Sequence, residues 1–257
     1  MQSVFSKIEE LKSEQQSAAL CIVIETKGST PRKQGAKMLV LPDGSIYGTI
    51  GGGSVEKEVA EKAVTLIKTG KSEKCTFNLE EDLGMHCGGY MEVYIEPVIP
   101  LKKLYVFGAG HIGRAVAKFA KELNFAITLF DAREGIFNDK EFSSYTCINE
   151  DYFKAIDNAV FDDNTFCVIV TPKHSFDEEI LARIGKKPSA YTGMIGSTTK
   201  IALLKKRFVE EKILTKTELD KIDMPIGIKF AAETPQEIAV SIIAKLIDVR
   251  NTVSRTI

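Results

Sequence analysis

Glycine accompanies most of the residues in this chain whose types and spacing suit chemistry. The string GAGHIG at 108–113 has the spacing of a turn that cradles a pyrophosphate. In such a turn Gly108 allows the tight bend, Gly110 lets backbone N–H groups approach the anion, and Gly113 permits close helix–strand packing. The helix that follows presents its N-terminus to the negative charge. Asp131 lies 18 residues beyond Gly113 (131 − 113), where an acid that binds a ribose 2′-hydroxyl is expected. Arg133, two positions on, would attract a 2′-phosphate, so NAD and NADP both stay open. In an open parallel sheet, ligands bind beyond the carboxyl ends of the strands. His111, Thr171, His174, Asp177, Ser197 and Lys200 are predicted at that edge, two of the chain's three histidines among them. His174 is a candidate acid or base. Thr171-x-x-His174-x-x-Asp177 can begin a metal site, although no third ligand lies near in sequence.

The first hundred residues carry three more glycine-rich loops, at 28–35, 48–53 and 82–89. Gly51, Gly52 and Gly53 lead straight into a predicted helix, an anion-binding arrangement that lacks the Gly-Lys-Ser/Thr ending of a nucleotide P-loop. Arg32 supplies a fixed charge suited to a bidentate grip on phosphate. Cys87 stands next to His86 among glycines whose N–H groups can stabilise a thiolate, which makes both residues candidates for chemistry. A plain turn-forming role for the glycines, with an inert Cys87, is the alternative. The other cysteines (Cys21, Cys75, Cys147 and Cys167) fall in apolar or strand-like stretches. Five cysteines with no CxxC pair fit free thiols in a reducing compartment.

The elements that must hold these loops follow from periodicity. Residues 3–15 show helical spacing and 18–25 form a β-branched apolar run. A hairpin is predicted over 36–50, and a helix with Ser54 as its N-cap runs to Gly70. Strands are expected at 75–79 and 91–97. Beyond a boundary at 97–103 the pattern changes to strand–helix alternation, with strands at 104–107, 126–130, 165–170 and 190–195. A last helix starts at Thr234, with Pro235 in its first position and Glu237 completing a capping box. The expectation is an α/β protein of two domains: a mixed α+β domain over 1–100 and a Rossmann-like parallel-sheet domain over 101–257.

Bulk properties exclude several classes. With 34 basic and 35 acidic residues in 257, the chain has no electrostatic footprint for nucleic acid. No apolar run approaches the length of a membrane span. The first ten residues have no apolar core of a signal peptide, so a cytoplasmic location is expected.

Taken together the motifs resemble the xanthine dehydrogenase accessory factors, the XdhC/CoxI family. The matching segments are GSTPR at 28–32, GTIGGG at 48–53 with Glu56, DLGMHCGG at 82–89, FGAGHIG at 107–113, Asp131-Ala132-Arg133, Thr171-x-x-His174-x-x-Asp177, GMIGS at 193–197 with Lys200, PIG at 225–227 and TPQEIA at 234–239. The resemblance implies a homodimeric factor that binds molybdenum cofactor (molybdopterin) and protects it during sulfuration by a cysteine desulfurase. The factor then hands the cofactor to a molybdenum hydroxylase client such as xanthine dehydrogenase. It also implies a compact family member with no fused nucleotidyltransferase domain. On this reading Arg32 and Gly51–Gly53 hold phosphate, while His86 and Cys87 lie near molybdenum or accept sulfur transiently. Two other readings remain: an NAD(P)-dependent oxidoreductase with His111 or His174 as acid/base and Lys200 as charge anchor, and a dinucleotide-binding redox sensor.

Overall fold

The structure is a computed structural model that describes residues 3–79 and 89–253. It separates into two compact units, one ending at Pro100 and the other beginning at Leu101.

The first unit contains α1 (Val4–Ser13), β1 (Ala18–Lys27), β2 (Lys37–Val40), β3 (Ile46–Gly48), α2 (Gly53–Thr69), β4 (Glu73–Asn78) and β5 (Tyr90–Val98). The strands form an antiparallel sheet in the order β3-β2-β1-β5-β4. β1 lies in the middle and is covered on both faces, which is why it reads as a continuous apolar run rather than an alternating one. Ala19, Cys21 and Val23 pack with Val55, Val59 and Ala63 of α2, while Ala18 and Leu20 pack with Ile8 and Leu11 of α1. The helix expected to start after Ser54 begins at Gly53, with Gly52 as its N-cap and no side-chain cap. Positive φ at Gly51, Gly52 and Gly53 lets the turn close earlier than an N-capping serine would require. Gly70 ends this helix in the left-handed region, as expected.

The second unit contains β6 (Lys102–Phe107), α3 (His111–Lys121), β7 (Phe125–Phe130), β8 (Thr146–Ile148), α4 (Tyr152–Asn158), β9 (Thr165–Ile169), α5 (His174–Ile184), β10 (Tyr191–Met194), α6 (Thr198–Glu210), α7 (Lys216–Leu219) and α8 (Pro235–Val253). All five strands are parallel, in the order β10-β9-β6-β7-β8. The chain moves outward from β6 to β8, then returns to the other side of β6 with β9. That reversal creates a crevice between β6 and β9 at their carboxyl ends, the ligand position of a doubly wound sheet. Alternate residues of each central strand serve opposite faces. Leu104 and Val106 pack with Val116 of α3 and with Ile242 and Leu246 of α8. Tyr105 and Phe107 pack with Ile156 of α4, Ile180 of α5 and Leu204 of α6. The Thr234 capping box forms as expected: the Glu237 amide donates to Thr234 Oγ1, 3.2 Å, and the Thr234 amide donates to Glu237 Oε2, 2.9 Å. Strand β8 and helices α4 to α7 add to the elements expected from sequence.

Candidate functional site

In the second unit the glycine turn closes against the neighbouring strand. A Cβ on Gly113 would lie 1.8 Å from the Gly108 carbonyl oxygen, and one on Gly108 would lie 2.5 Å from the Val170 carbonyl oxygen. These two positions therefore let α3 and the end of β9 approach β6. Gly110 is extended (φ −76°), and a Cβ there would meet only Arg133 Nη2, at 3.8 Å. His111 is exposed as the first residue of α3.

Asp131 directly follows β7 and is fully buried, and its carboxylate works inside the protein. Oδ2 accepts from the Ala109 amide at 2.8 Å and from Arg133 Nη2 at 2.7 Å, and Oδ1 accepts from the Arg133 amide at 3.0 Å and Nε at 2.9 Å. Burial alone would raise its pKa, but the Arg133 side chain and these amides outweigh it and hold the carboxyl below its usual range. Asp131 and Arg133 thus brace the glycine turn as a pair. Sequence reasoning missed Asn149, whose side-chain amide donates to the carbonyls of Asp131 (2.7 Å) and Arg133 (2.9 Å). The predicted Asp131-x-Arg133 gave no signal of that tether, because its partner is the residue that follows the short edge strand β8.

A second group forms where β9 and β10 end. Thr171 donates to Asp177 Oδ1 from its amide at 2.9 Å and from its hydroxyl at 2.6 Å. Asp177 Oδ2 is buried, lies 3.4 Å from His174 Nδ1, and meets no donor in hydrogen-bonding geometry among the described residues. Burial is the main influence on Asp177 and pushes its pKa up against the pull of Thr171 and His174. Asp177 and His174 line a cavity of about 330 Å³ between α5 and α6, which Lys200 also lines. Ser197, just before α6, caps that helix by accepting from the Lys200 amide at 3.4 Å. Glu178 and Arg207, absent from the sequence-derived candidates, are ion-paired at the same cavity. Among the described residues no group of three metal-ligating side chains occurs.

In the first unit the strand register brings the ends of β1, β3 and β4 and the start of β5 to one end of the sheet. Lys27 pairs with Tyr90, Asn78 with Tyr90, and Met38 with Gly48, so the chain segments after β1, β3 and β4 all leave from that end. A Cβ on Gly51 would lie 2.6 Å from Pro31 Cγ, and one on Gly89 would lie 2.1 Å from the Ser29 carbonyl oxygen. The segment around Ser29–Arg32 therefore sits between Gly51 and Gly89. Arg32 is exposed there. The Leu79 amide donates to the Gly89 carbonyl at 2.9 Å, which pairs these two residues at this edge. His86 and Cys87, and with them the candidate metal neighbour Cys87, lie outside the described residues.

Glu56 changes the reading of the triple glycine. Its Oε1 accepts from Thr49 Oγ1 at 2.5 Å, from the Ile50 amide at 3.0 Å and from the Gly51 amide at 3.2 Å. A carboxylate of the protein thus already holds the Gly51 amide, one of those that the sequence suggested for phosphate, together with the amide of Ile50 before it. The described cysteines are free thiols. Burial pushes Cys21 and Cys167 up to about 12, which leaves them protonated and unreactive near neutral pH.

Residues 104–246 match the model of the XdhC Rossmann domain, and residues 11–78 match that of the XdhC and CoxI family. Among curated proteins, the Uncharacterized protein YqeB of Escherichia coli K12 is 32% identical over 255 residues; the match covers 97% of this chain and 46% of that protein. The chain therefore spans less than half the length of that relative. A Bacillus subtilis 168 protein named as a probable xanthine dehydrogenase subunit is 21% identical, with 99% of each chain covered. A crystal structure from Bacillus halodurans, described as a xanthine dehydrogenase, superposes with a TM-score of 0.53 at 20% identity over 98% of this chain and 96% of that one, a likeness of fold. Among the described residues no helix is long and apolar enough to cross a membrane.

Proposed function

The chain belongs to the XdhC and CoxI family, and on that premise we propose that it is a carrier of molybdenum cofactor for a molybdenum hydroxylase of the xanthine dehydrogenase type. On this reading it works in the cytoplasm as a homodimer. It takes the cofactor through sulfuration by a cysteine desulfurase and passes it to the client. The observation that supports this most is the meeting of the Ser29–Arg32, Gly51 and Gly89 segments at one end of the first unit's sheet. A dehydrogenase that uses only a nicotinamide dinucleotide has no need of that second glycine-rich edge.

The donor set suits a phosphate ester, with one adjustment. Glu56 draws on the Ile50, Gly51 and Gly52 amides, so the anion is assigned to the exposed Arg32 guanidinium and the Gly53 side of the turn. His86 and Cys87 are assigned to the molybdenum end, as metal neighbours or as transient sulfur acceptors. When bound, the cofactor supplies the dithiolene-held metal; the chain's part is to grip the phosphate, hydrogen-bond the ring and keep water away.

The test is anaerobic purification from a molybdate-replete host, followed by assay of released oxidised pterin and molybdenum. Both are expected in stoichiometric amount. A Cys87→Ala protein is expected to bind cofactor but to mature its client poorly; unchanged maturation would remove the role given to Cys87. The competing reading is an NAD(P)-dependent oxidoreductase, favoured by the glycine turn at 108–113. It predicts nucleotide turnover without pterin. Against it stands Asp131, whose carboxylate is held by Ala109 and Arg133 rather than presented to a ribose.

A further inference from the structure

Asp131 has no acceptor left for a ribose. A carboxylate offers about four acceptor positions on its two oxygens. Four donors take them here: the Ala109 amide and Arg133 Nη2 on Oδ2, and the Arg133 amide and Nε on Oδ1. The residue also has no exposed surface. The acid that a bare ribose 2′-hydroxyl would need beyond β7 is therefore used up inside the protein.

Arg133 is placed the other way round. Nε and one N–H of Nη2 go to Asp131, which leaves the second N–H of Nη2 and both of Nη1 without a hydrogen-bond partner among the described residues. The side chain is 44% exposed. A guanidinium whose one edge is fixed by a buried carboxylate is already oriented, so its free edge can grip a second oxyanion at little further cost in entropy. Its place is set against the glycine turn. Nη2 lies 3.8 Å from where a Gly110 Cβ would be, and no other atom comes within 4 Å of that point. Arg133 thus borders the open side of the turn, at the same carboxyl edge of the sheet where the strand order reverses between β6 and β9. Arg114 of α3 has no such freedom, because Asp139 and Glu141 hold it at 2.7 and 2.6 Å.

In a sheet of this kind an acid beyond the second strand accepts from a ribose 2′-hydroxyl, while an arginine there accommodates a 2′-phosphate. Asp131 and Arg133 argue in opposite directions as sequence; their hydrogen bonds decide between them. We propose that Arg133 makes the turn at 108–113 selective for an adenine nucleotide whose ribose carries a phosphate at the 2′ position, with the free edge of the guanidinium on that phosphate. A nucleotide with a bare ribose diol finds its acceptor already occupied and binds weakly. Binding of this kind is independent of the carrier reading: a chain that also holds molybdenum cofactor on its first unit satisfies both, and no hydride transfer is required.

The experiment titrates the full-length chain with NADP, NAD and coenzyme A by calorimetry at one fixed ionic strength. NADP differs from NAD by the 2′-phosphate alone, whereas coenzyme A carries its ribose phosphate at the 3′ position. NADP is expected to bind roughly tenfold or more tighter than NAD, the gain of a charge-assisted hydrogen bond. Arg133→Gln keeps a side-chain amide for Asp131 and removes the cation, and it is expected to bring the ratio of the two affinities close to one. Wild-type protein that binds NAD as tightly as NADP, or binds neither at millimolar concentration, would overturn the proposal, and neither result depends on how the variant folds. A preference for NADP that survives in a folded Arg133→Gln protein would remove Arg133 as the residue that makes the choice. Coenzyme A bound more tightly than NADP would overturn the 2′ assignment.

Discussion

Asp131 and Asp177 end up at the same edge of one sheet, both buried, and their surroundings push them in opposite directions. Burial raises both. At Asp131 the Arg133 guanidinium and the amides of Arg133 and Ala109 outweigh it, so the folded pKa falls below the ordinary carboxylate value of about 3.9. A depressed carboxyl contributes stability above that value and loses it as pH falls through the folded pKa. Asp131→Asn is therefore expected to lower stability by roughly 1–3 kcal/mol near neutral pH. The gap to wild type should narrow as pH falls below about 4, as urea melts across that range would read. Asp177 works with the opposite sign. Its raised pKa means that stability declines as pH climbs from about 3.9 through the folded value, so Asp177→Asn should stay within about 1 kcal/mol of wild type near neutrality. An equal loss at both sites would contradict this assignment. Sequence spacing marks Asp131 as an acid at a strand end but cannot tell a ribose acceptor from a brace, because its partners are a backbone amide 22 residues earlier and a neighbouring side chain. For Asp177 the only sequence signal is its place three residues after His174; the buried orphan oxygen is a property of the packing.

At the scale of elements, the turn between β6 and α3 separates glycines that the fold needs from one that it leaves open. Gly113→Ala puts a methyl carbon 1.8 Å from the Gly108 carbonyl oxygen, a backbone clash that no rotamer relieves. A loss of roughly 3 kcal/mol or more, or outright misfolding, is expected from thermal melts. Gly110→Ala meets nothing nearer than 3.8 Å in a backbone conformation that alanine adopts freely, so stability should change by less than about 1 kcal/mol. A stable Gly110→Ala protein is therefore a clean probe for an anion approaching this turn. A large stability loss from it would show that the turn is packed more tightly than described. The spacing of GAGHIG makes the strand–turn–helix unit readable in advance, because each glycine answers a local demand. The third parallel strand is not readable in that way. β8 has three residues, none of them buried, so it is too short for alternation to register and exists only because β7 offers it an edge. Helix α6 does carry a signal, with Ile201, Leu204 and Phe208 on one face. The start of α2 departs from the serine N-cap that the sequence suggests, because here Glu56 satisfies the turn amides instead.

Across the whole molecule the chemistry is divided between units that keep their cores to themselves. The two cores of the second unit draw on residues from Leu104 to Val249, and those of the first draw on residues from Val4 to Val98. α8 is integral to the second unit, since Ala239, Ile242 and Leu246 are fully buried against α3 and the sheet. A fragment of residues 101–257 should therefore fold alone and melt in one cooperative step, whereas a fragment that stops before Thr234 should not, because it leaves that face of the sheet uncovered. Circular dichroism and thermal melts of the two fragments read this, and a fragment without α8 that melts in the same cooperative step as the longer one would contradict it.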